Sequence, residues 1–292
     1  MFEFLKAYNY KPNEKLSYHC TMRVGGNAQF YLEPKTIKQL LKVVKECQKN
    51  NIKYFILGNG SNVIFGDKQF KGVVICTKLL KKVKIKKNTI IAECGANLFA
   101  INYMLQQNNL GGMEWSYGIP GTVGGAVCMN AGAYGGQMKD VVTKVQIYDG
   151  KKIRTLKNKQ IEFTYRDSLI KRKQFLVVKV WIKLKFENKE KIKEKQTYYF
   201  NRRKLSQPLE TYNCGSVFKA VNGVSAGKII DNLGLKGVKL NGAQISKLHA
   251  NFIVNLGNAT SEDIKELINL IKHKVKEQTG IDLEEEIIFV GD

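Results

Sequence analysis

The stretch IPGTVGGAVCMNAGAYGG, residues 119–136, places six glycines in eighteen positions of a Lys-rich chain. Glycine serves backbone that turns with positive φ or presses closely against a bulky neighbour. A segment so dense in it excludes one long helix and demands something for the backbone to approach. A second such stretch, LGNGSN at 57–62, lies between two short apolar runs, YFIL and VIF. It looks at first like the dinucleotide fingerprint GxGxxG. That pattern fails, because Val63 stands where the third glycine belongs and a strand follows instead of a helix. What remains is strand, glycine-rich turn, strand, either an ordinary tight turn or an anion-binding nest of amides. The Pro120-Gly121-Thr122 start of the first stretch, followed by small residues, marks a helix N-terminus suited to a flat or anionic body. Two such segments in one chain point to a large phosphate-bearing cofactor held between them.

Composition narrows the alternatives. With 292 residues the chain can support two or three domains with a sizeable core. No stretch approaches the roughly 18 consecutive apolar residues of a membrane helix, so no membrane partner is expected. MFEFLKAYNYKPNEK lacks a basic region followed by an apolar one, so no secretory leader is expected. The six cysteines (20, 47, 76, 94, 128, 214) form no CxxC pair and there are three histidines. This argues against a metal site and fits free thiols in a reducing cytoplasm. A net charge of +23 suggests nucleic acid, yet the basic runs KKVKIKK, ENKEKIKEK and IKHKVKEQ are scattered and carry no interleaved aromatics and arginines. Only six of the 48 basic residues are Arg, a Lys bias that reads as a solvated surface, and no specific nucleic-acid partner is expected. Where such a chain keeps Arg, planar bidentate chemistry is a reasonable suspicion. The six are Arg23, Arg154, Arg166, Arg172, Arg202 and Arg203.

Periodicity gives an α+β class. TIKQLLKVVKECQKNN (36–51) has helical apolar spacing at Leu40, Leu41, Val44 and Cys47. YFIL, VIF, GVVICT, VKIK and TIIAECG read as strands, and ANLFAINYMLQQNN (96–109) as a helix ended by Gly111-Gly112. KVQIYDGKKIRTL predicts a hairpin on Asp149-Gly150, and FLVVKVWIKLKF a sheet strand. KEKIKEKQTYYFNRRKLSQP predicts a helix ending before Pro208, SAGKIIDNLGL a short one, and ANFIVNLG a strand. TSEDIKELINLIKHKVKEQTG (260–280) predicts a long amphipathic helix capped by Thr260 or Ser261 and stopped by Gly280, with DLEEEIIFVG as a closing strand.

The ordered set TMRVGGNAQFYLEP, LGNGSNVIF, GIPGTVGGAVCMNAGAYGG, TYRDS, NRRKLSQPL, NCGSVFK and GIDLEEEIIFVG resembles the UDP-N-acetylenolpyruvoylglucosamine reductase family of peptidoglycan synthesis, over nearly the whole chain. The short interval between TYRDS and NRRKLSQPL resembles its compact second type. The resemblance implies an FAD-binding fold of the p-cresol methylhydroxylase/vanillyl-alcohol oxidase type in two subdomains, 1–75 and 76–203. An α+β substrate-binding domain would follow at 204–282, with the terminal strand 283–292 returning to the first subdomain. It implies non-covalent FAD, NADPH as co-substrate and a nucleotide-sugar substrate whose enolpyruvyl ether is reduced to a lactyl ether. A cytoplasmic monomer is expected.

By the same resemblance, Gly58, Asn59, Gly60, Ser61 and Asn62 on one side, and Ile119, Gly121, Thr122, Gly124 and Gly125 on the other, hold the flavin cofactor, with Arg202 as a further contact. Side chains at the glycines would hold the amides away from the phosphates. Tyr134 matches a tyrosine near the substrate route, or is a rim aromatic that packs. Lys204 matches a substrate lysine. Arg23 either helps assemble the flavin loop or is structural, and His249 reads as a packed turn residue.

Hydride addition to the terminal enolpyruvyl carbon leaves charge that spreads into the adjacent carboxylate, and an enzyme must stabilise that charge and then protonate the neighbouring carbon. Arg166 in TYRDS matches the family's catalytic arginine, whose fork can grip both carboxylate oxygens; the alternative is a surface ion pair with Asp167. Glu286 matches the catalytic glutamate, with Glu284 as the alternative because both fall on one strand face. Such a carboxyl needs a raised pKa. Ser216 in NCGSVF matches the proton donor, and Cys214 is its rival as a nucleophile. Two positions depart from the family pattern: Ile288 stands where compact members often carry Arg, and Ala220-Val221 where many have a basic or amide residue and Pro. An oxidase or dehydrogenase of the same fold acting on an alcohol or phenol would lack the TYRDS, GSVF and terminal-glutamate set.

Overall fold

The computed structural model describes residues 2–291 and divides into two compact units. Among the described residues one comprises 2–11, 30–59 and 72–202; the other comprises 12–29, 60–71 and 203–291. In chain order the first elements are β1 (Tyr10–Lys15), β2 (Asn27–Leu32), helix α1 (Ile37–Lys49), β3 (Tyr54–Leu57), β4 (Val63–Phe65), β5 (Phe70–Cys76), β6 (Val83–Lys86) and β7 (Thr89–Glu93). Helix α2 (Leu98–Gln107) and the short helix α3 (Val123–Cys128) follow.

In the larger unit, α1 starts where the Thr36 hydroxyl accepts the Gln39 N–H at 3.2 Å, an N-cap. Its apolar stripe buries Leu40, Val43, Val44 and Cys47. Each such Leu or Val side chain stabilises by about 1.5–3 kcal/mol relative to exposure. β3 and β5 pair in parallel from Tyr54↔Val73 to Leu57↔Cys76. A second, antiparallel sheet runs in the order Ile153–Lys157, Val142–Tyr148, Leu176–Lys183, β7, β6. The expected hairpin on Asp149-Gly150 forms its edge: the Asp149 carboxylate accepts the N–H groups of Lys151 and Lys152 at 3.0 and 2.8 Å, and Gly150 takes φ +94°. Helix α2 differs from expectation at its end. It stops at Asn108, and Asn109 takes the left-handed conformation at φ +55°, so Asn fills the stop position before Gly111-Gly112 is reached. Gly111 lies in a short ladder opposite Lys185.

In the other unit, strands Lys239–Leu240, Ala243–Ile245 and Ile253–Asn255 form an antiparallel sheet. The helix Ser261–Thr279 begins with a capping box between Thr260 and Asp263, at 3.0 and 2.8 Å, and ends at Gly280 with φ +72°. Its buried face presents Ile264, Leu267, Ile268, Ile271 and Val275. The closing strand is shorter than expected, Ile288–Val290, and pairs in parallel with β4 from Ile288↔Val63. Residues 284–286 run instead beside 217–219: the Lys219 N–H donates to the Glu284 carbonyl at 2.9 Å and the Glu286 N–H to the Val217 carbonyl at 2.7 Å.

Candidate active site

The two glycine-rich segments meet at Gly58, Asn59, Pro120 and Thr122. The Asn59 side chain donates to the Pro120 carbonyl at 2.7 Å, and a Cβ on Gly58 would stand 2.6 Å from the Thr122 hydroxyl. Gly60, at φ +68°, has the His19 carbonyl 2.4 Å from where a Cβ would be, and Gly124 has Cys94 at 2.9 Å. These three glycines are therefore required by the protein's own packing. Helix α3 begins at Thr122 as expected, but its Val123 and Gly124 N–H groups already donate to the Ala96 and Cys94 carbonyls, both at 2.8 Å. Ile119 accepts the Gly121 N–H at 2.9 Å and so shapes the approach to the helix.

The fit to a phosphate-bearing cofactor rests on other atoms. The N–H groups of Asn59, Gly60, Ser61 and Asn62 have no acceptor among the described residues, an open run of donors of the kind that takes a diphosphate. Gly125 is exposed on α3, with nothing nearer to its missing Cβ than the Thr122 hydroxyl at 3.6 Å, and Gly121 likewise meets only ordinary contacts from 3.6 Å. A cavity of about 250 Å³ lies beside them, lined by Asn59, Thr122, Ile101, Met104, Lys78 and Lys81 among others. It joins an apolar wall to two cations. The difference between the glycines gives a prediction. Gly125→Val should leave the thermal unfolding of the apoprotein almost unchanged, and should weaken FAD binding, followed by flavin fluorescence, by about tenfold or more, about 1.4 kcal/mol. Gly124→Val should unfold at lower temperature whether or not FAD is present, since overpacking costs about 1–3 kcal/mol. Equal loss of apoprotein stability in both variants would leave Gly125 a packing residue.

Arg166 sits on a tight turn in which the Thr164 and Asp167 backbones bond each other at 3.1 and 3.4 Å. It adopts φ +55°, a left-handed conformation sparsely used by residues other than Gly, Asn or Asp, which marks a site where geometry overrides local preference. The Asp167 carboxylate, posed as its partner, also holds other cations. The Asp167 carboxylate accepts Arg172 at 2.5 Å, with Lys171 at 4.0 Å, and Arg172 also holds Glu162 at 2.8 Å. Burial by itself would raise the Asp167 pKa; the Arg172 hydrogen bond, the Ser168 N–H and the two cations outweigh it and hold it below the usual value. The turn is also tied to α3, because Asn130 donates to the Thr164 carbonyl and Ser168 to the Cys128 carbonyl, both at 2.8 Å. Arg172 was one of six arginines with no motif to single it out, and Asn130 carried no sequence signal. Tyr134 is another left-handed residue, at φ +51°, and stacks on Tyr199 at 5.1 Å and 16°. The Arg202 guanidinium lies 5.3 Å from the Tyr134 ring and 5.7 Å from Tyr198, so the structure brings together a residue expected at the cofactor and one expected at the substrate.

In the other unit Ser216, half-buried, precedes the short pairing of 217–219 with 284–286. Glu286 lies directly in that pairing, and Asn62 donates its side-chain amide to the Glu286 carbonyl at 3.0 Å while accepting the Ile288 N–H at 3.0 Å. Asn62, expected at the cofactor, thus also anchors the segment that carries the expected catalytic glutamate. Glu284, the alternative, is largely exposed and ion-paired with Lys219, and Glu285 pairs with Lys272 at 2.9 Å. Cys214 is buried, and burial, followed by the nearby Cys20, pushes its thiol up to about 12. Lys204 is exposed on the last turn of the helix Lys189–Ser206, while its neighbour Arg203 is buried and donates to Gln207 at 3.1 Å. Arg23, at φ +58°, donates to the Tyr18 carbonyl at 3.0 Å. No cluster of His, Cys, Asp or Glu among the described residues could hold a metal.

An α+β fold with an open run of amides at residues 59–62 and, in the larger unit, a cavity walled by apolar side chains and lysines fits an FAD-dependent oxidoreductase. Residues 28–153 match the model of the FAD binding domain, and residues 207–290 that of the UDP-N-acetylenolpyruvoylglucosamine reductase C-terminal domain. The chain is 41% identical over 291 residues to the UDP-N-acetylenolpyruvoylglucosamine reductase of Caldanaerobacter subterraneus subsp. tengcongensis, covering 99% of this chain and 96% of that one. Among solved structures, the UDP-N-acetylenolpyruvylglucosamine reductase of Thermus caldophilus superposes with a TM-score of 0.82 at 32% identity, over 97% of this chain and 98% of that one. A cholesterol oxidase from B. sterolicum, 15% identical over 62% of this chain and 38% of its own with a TM-score of 0.50, shares the FAD-binding fold. The chain belongs to the UDP-N-acetylenolpyruvoylglucosamine reductase family.

Proposed function

We infer that this chain catalyses the FAD-dependent reduction of UDP-N-acetylglucosamine enolpyruvate to UDP-N-acetylmuramate, with NADPH as hydride source, in peptidoglycan precursor synthesis. The observation that carries the reading is the open run of amides at Asn59–Asn62 beside the second glycine segment. Bound FAD supplies the hydride relay between NADPH and the terminal carbon of the enolpyruvyl group. The protein's own groups do the rest. The amides of Gly58–Asn62, with Ile119, Gly121, Thr122, Gly124 and Gly125, hold the cofactor, and Arg202 steadies it from its place over Tyr134. Arg166 grips the carboxylate into which charge spreads. Glu286 supports that charge, and Ser216 delivers the proton to the adjacent carbon. Tyr134 and Lys204 contact the nucleotide sugar. In this reading residues 1–75 and 76–203 serve the cofactor and 204–282 the substrate, with 283–292 returning to the first.

The protein works as a cytoplasmic monomer without a specific nucleic-acid partner. Its six free thiols fit a reducing compartment. No helix among the described residues is long and apolar enough to cross a membrane. Purified protein should be yellow with one flavin per chain, released into the supernatant by acid or heat as FAD. No His or Cys stands in a recognised attachment context, so no flavin should remain on the denatured chain. A colourless preparation that FAD fails to reconstitute would overturn the reading.

A further inference from the structure

The stretch that presents Ser216 belongs to no regular strand, so something else must hold it. Its neighbours are fixed by one buried side chain. Asn251 accepts the Phe218 N–H at 2.9 Å through Oδ1 and donates through Nδ2 to the Phe218 carbonyl at 2.8 Å. The Asn251 backbone carbonyl takes the Val217 N–H at 2.9 Å. On the opposite edge the Val217 carbonyl takes the Glu286 N–H at 2.7 Å. The residues that follow Ser216 are thus strapped on two sides, one of them by a side-chain amide doing what a neighbouring strand's peptide would do. Asn251 is itself oriented: its N–H donates to His249 Nδ1 at 3.1 Å, so that nitrogen keeps its lone pair and the neutral ring carries its proton on Nε2. A Cβ on Gly227 would stand 2.9 Å from the His249 ring, so the glycine there leaves room for the imidazole.

We propose that Asn251 is the positioning residue for Ser216, holding the 216–218 backbone in register with the segment that carries Glu286 so that the hydroxyl faces the carbon it protonates. The proposal rests on the reading of Ser216 as proton donor. Only a neutral amide of this length supplies a donor and an acceptor to one residue's backbone. Alanine removes both. Aspartate keeps the acceptor but sets a carboxylate against the Phe218 carbonyl; once protonated, it regains a donor and restores the two-point pattern.

The test uses holoenzyme and the two phases of the flavin absorbance, its bleaching by NADPH and its return on mixing with the enolpyruvyl substrate. Asn251→Ala should slow the return by about 10²-fold, the scale of a displaced reacting group, and leave bleaching unchanged. In a Ser216→Ala background the same change should add nothing, because there is no hydroxyl left to position. Asn251→Asp, which keeps the shape of the native side chain, should be slow at neutral pH and recover toward the wild-type rate as pH falls. Equal slowing of both phases, or an Asn251→Ala effect that persists undiminished in the Ser216→Ala background, would show that Asn251 only maintains the fold. An Asn251→Asp variant that stays slow at low pH would count against the two-point pattern. If Ser216→Ala slows the return and Asn251→Ala does not, the proposal fails alone; if Ser216→Ala is itself without effect, the proton-donor reading fails and takes the proposal with it.

Discussion

Ser216→Ala should leave the bleaching of the flavin absorbance by NADPH near the wild-type rate and slow its return with the enolpyruvyl substrate by about 10²–10⁴-fold, the worth of a positioned general acid. In barrier terms that is about 3–5 kcal/mol. The asymmetry arises because only the second phase requires a proton to reach carbon. A serine hydroxyl is a very weak acid and serves this role only toward a strongly basic carbon, so its removal should be felt in that phase alone. Cys214, two residues away, offers the contrasting case. A thiol buried and pushed up to about 12 is almost entirely protonated at neutral pH and is no nucleophile. Cys214→Ser should therefore change neither phase appreciably. Stopped-flow absorbance reads both phases in one experiment. Equal slowing of the two phases in Ser216→Ala would mean that the serine holds the cofactor. Loss of the second phase in Cys214→Ser with Ser216→Ala intact would reverse the assignment of the pair.

Elements whose periodicity and caps agree were legible in the sequence. The helix after Thr260 carries a cap, an acidic first turn, an apolar stripe and a terminal glycine, and all four appear where expected. The hairpin on Asp149-Gly150 was readable for the same reason, since the turn chemistry sets the register. Before residue 36 no periodicity marked a strand or helix. β1, YKPNEK, is mostly exposed and lacks alternation, so no period distinguishes it from a loop. The motifs located the glycine segments but not the packing that also requires several of them: Gly58, Gly60 and Gly124 answer to Thr122, His19 and Cys94, contacts set by tertiary packing. Asn62 shows the same limit. Its hydrogen bond to the Glu286 carbonyl spans 224 positions, and no local pattern encodes it. Asn130, Arg172 and Asn251 act in the same way, through backbone or carboxylate partners that come near only in the folded chain. Local chemistry exposes the reacting groups, whereas the groups that aim them depend on the fold.

Arg166→Lys keeps the charge and should still lower turnover by about 10²–10³-fold, the usual loss on removing one preorganised donor from developing negative charge. An ammonium is a point charge, and it loses the planar fork that matches both carboxylate oxygens. The turn holds through the Thr164 and Asp167 backbone bonds, the Asn130 bond to the Thr164 carbonyl and the Arg172 clamp on Asp167, none of which uses the Arg166 guanidinium. Lysine tolerates φ +55° no worse than arginine does, so the substitution adds little backbone strain. Flavin content, thermal unfolding and bleaching by NADPH should therefore match wild type, with the loss confined to the phase driven by the enolpyruvyl substrate. That pattern separates charge stabilisation from assembly: an interaction strengthened in the transition state lowers kcat and kcat/KM together, whereas uniform binding raises KM alone. A variant with raised KM and unchanged kcat would place Arg166 as a binding group only. Near wild-type turnover would show that another residue carries the developing charge.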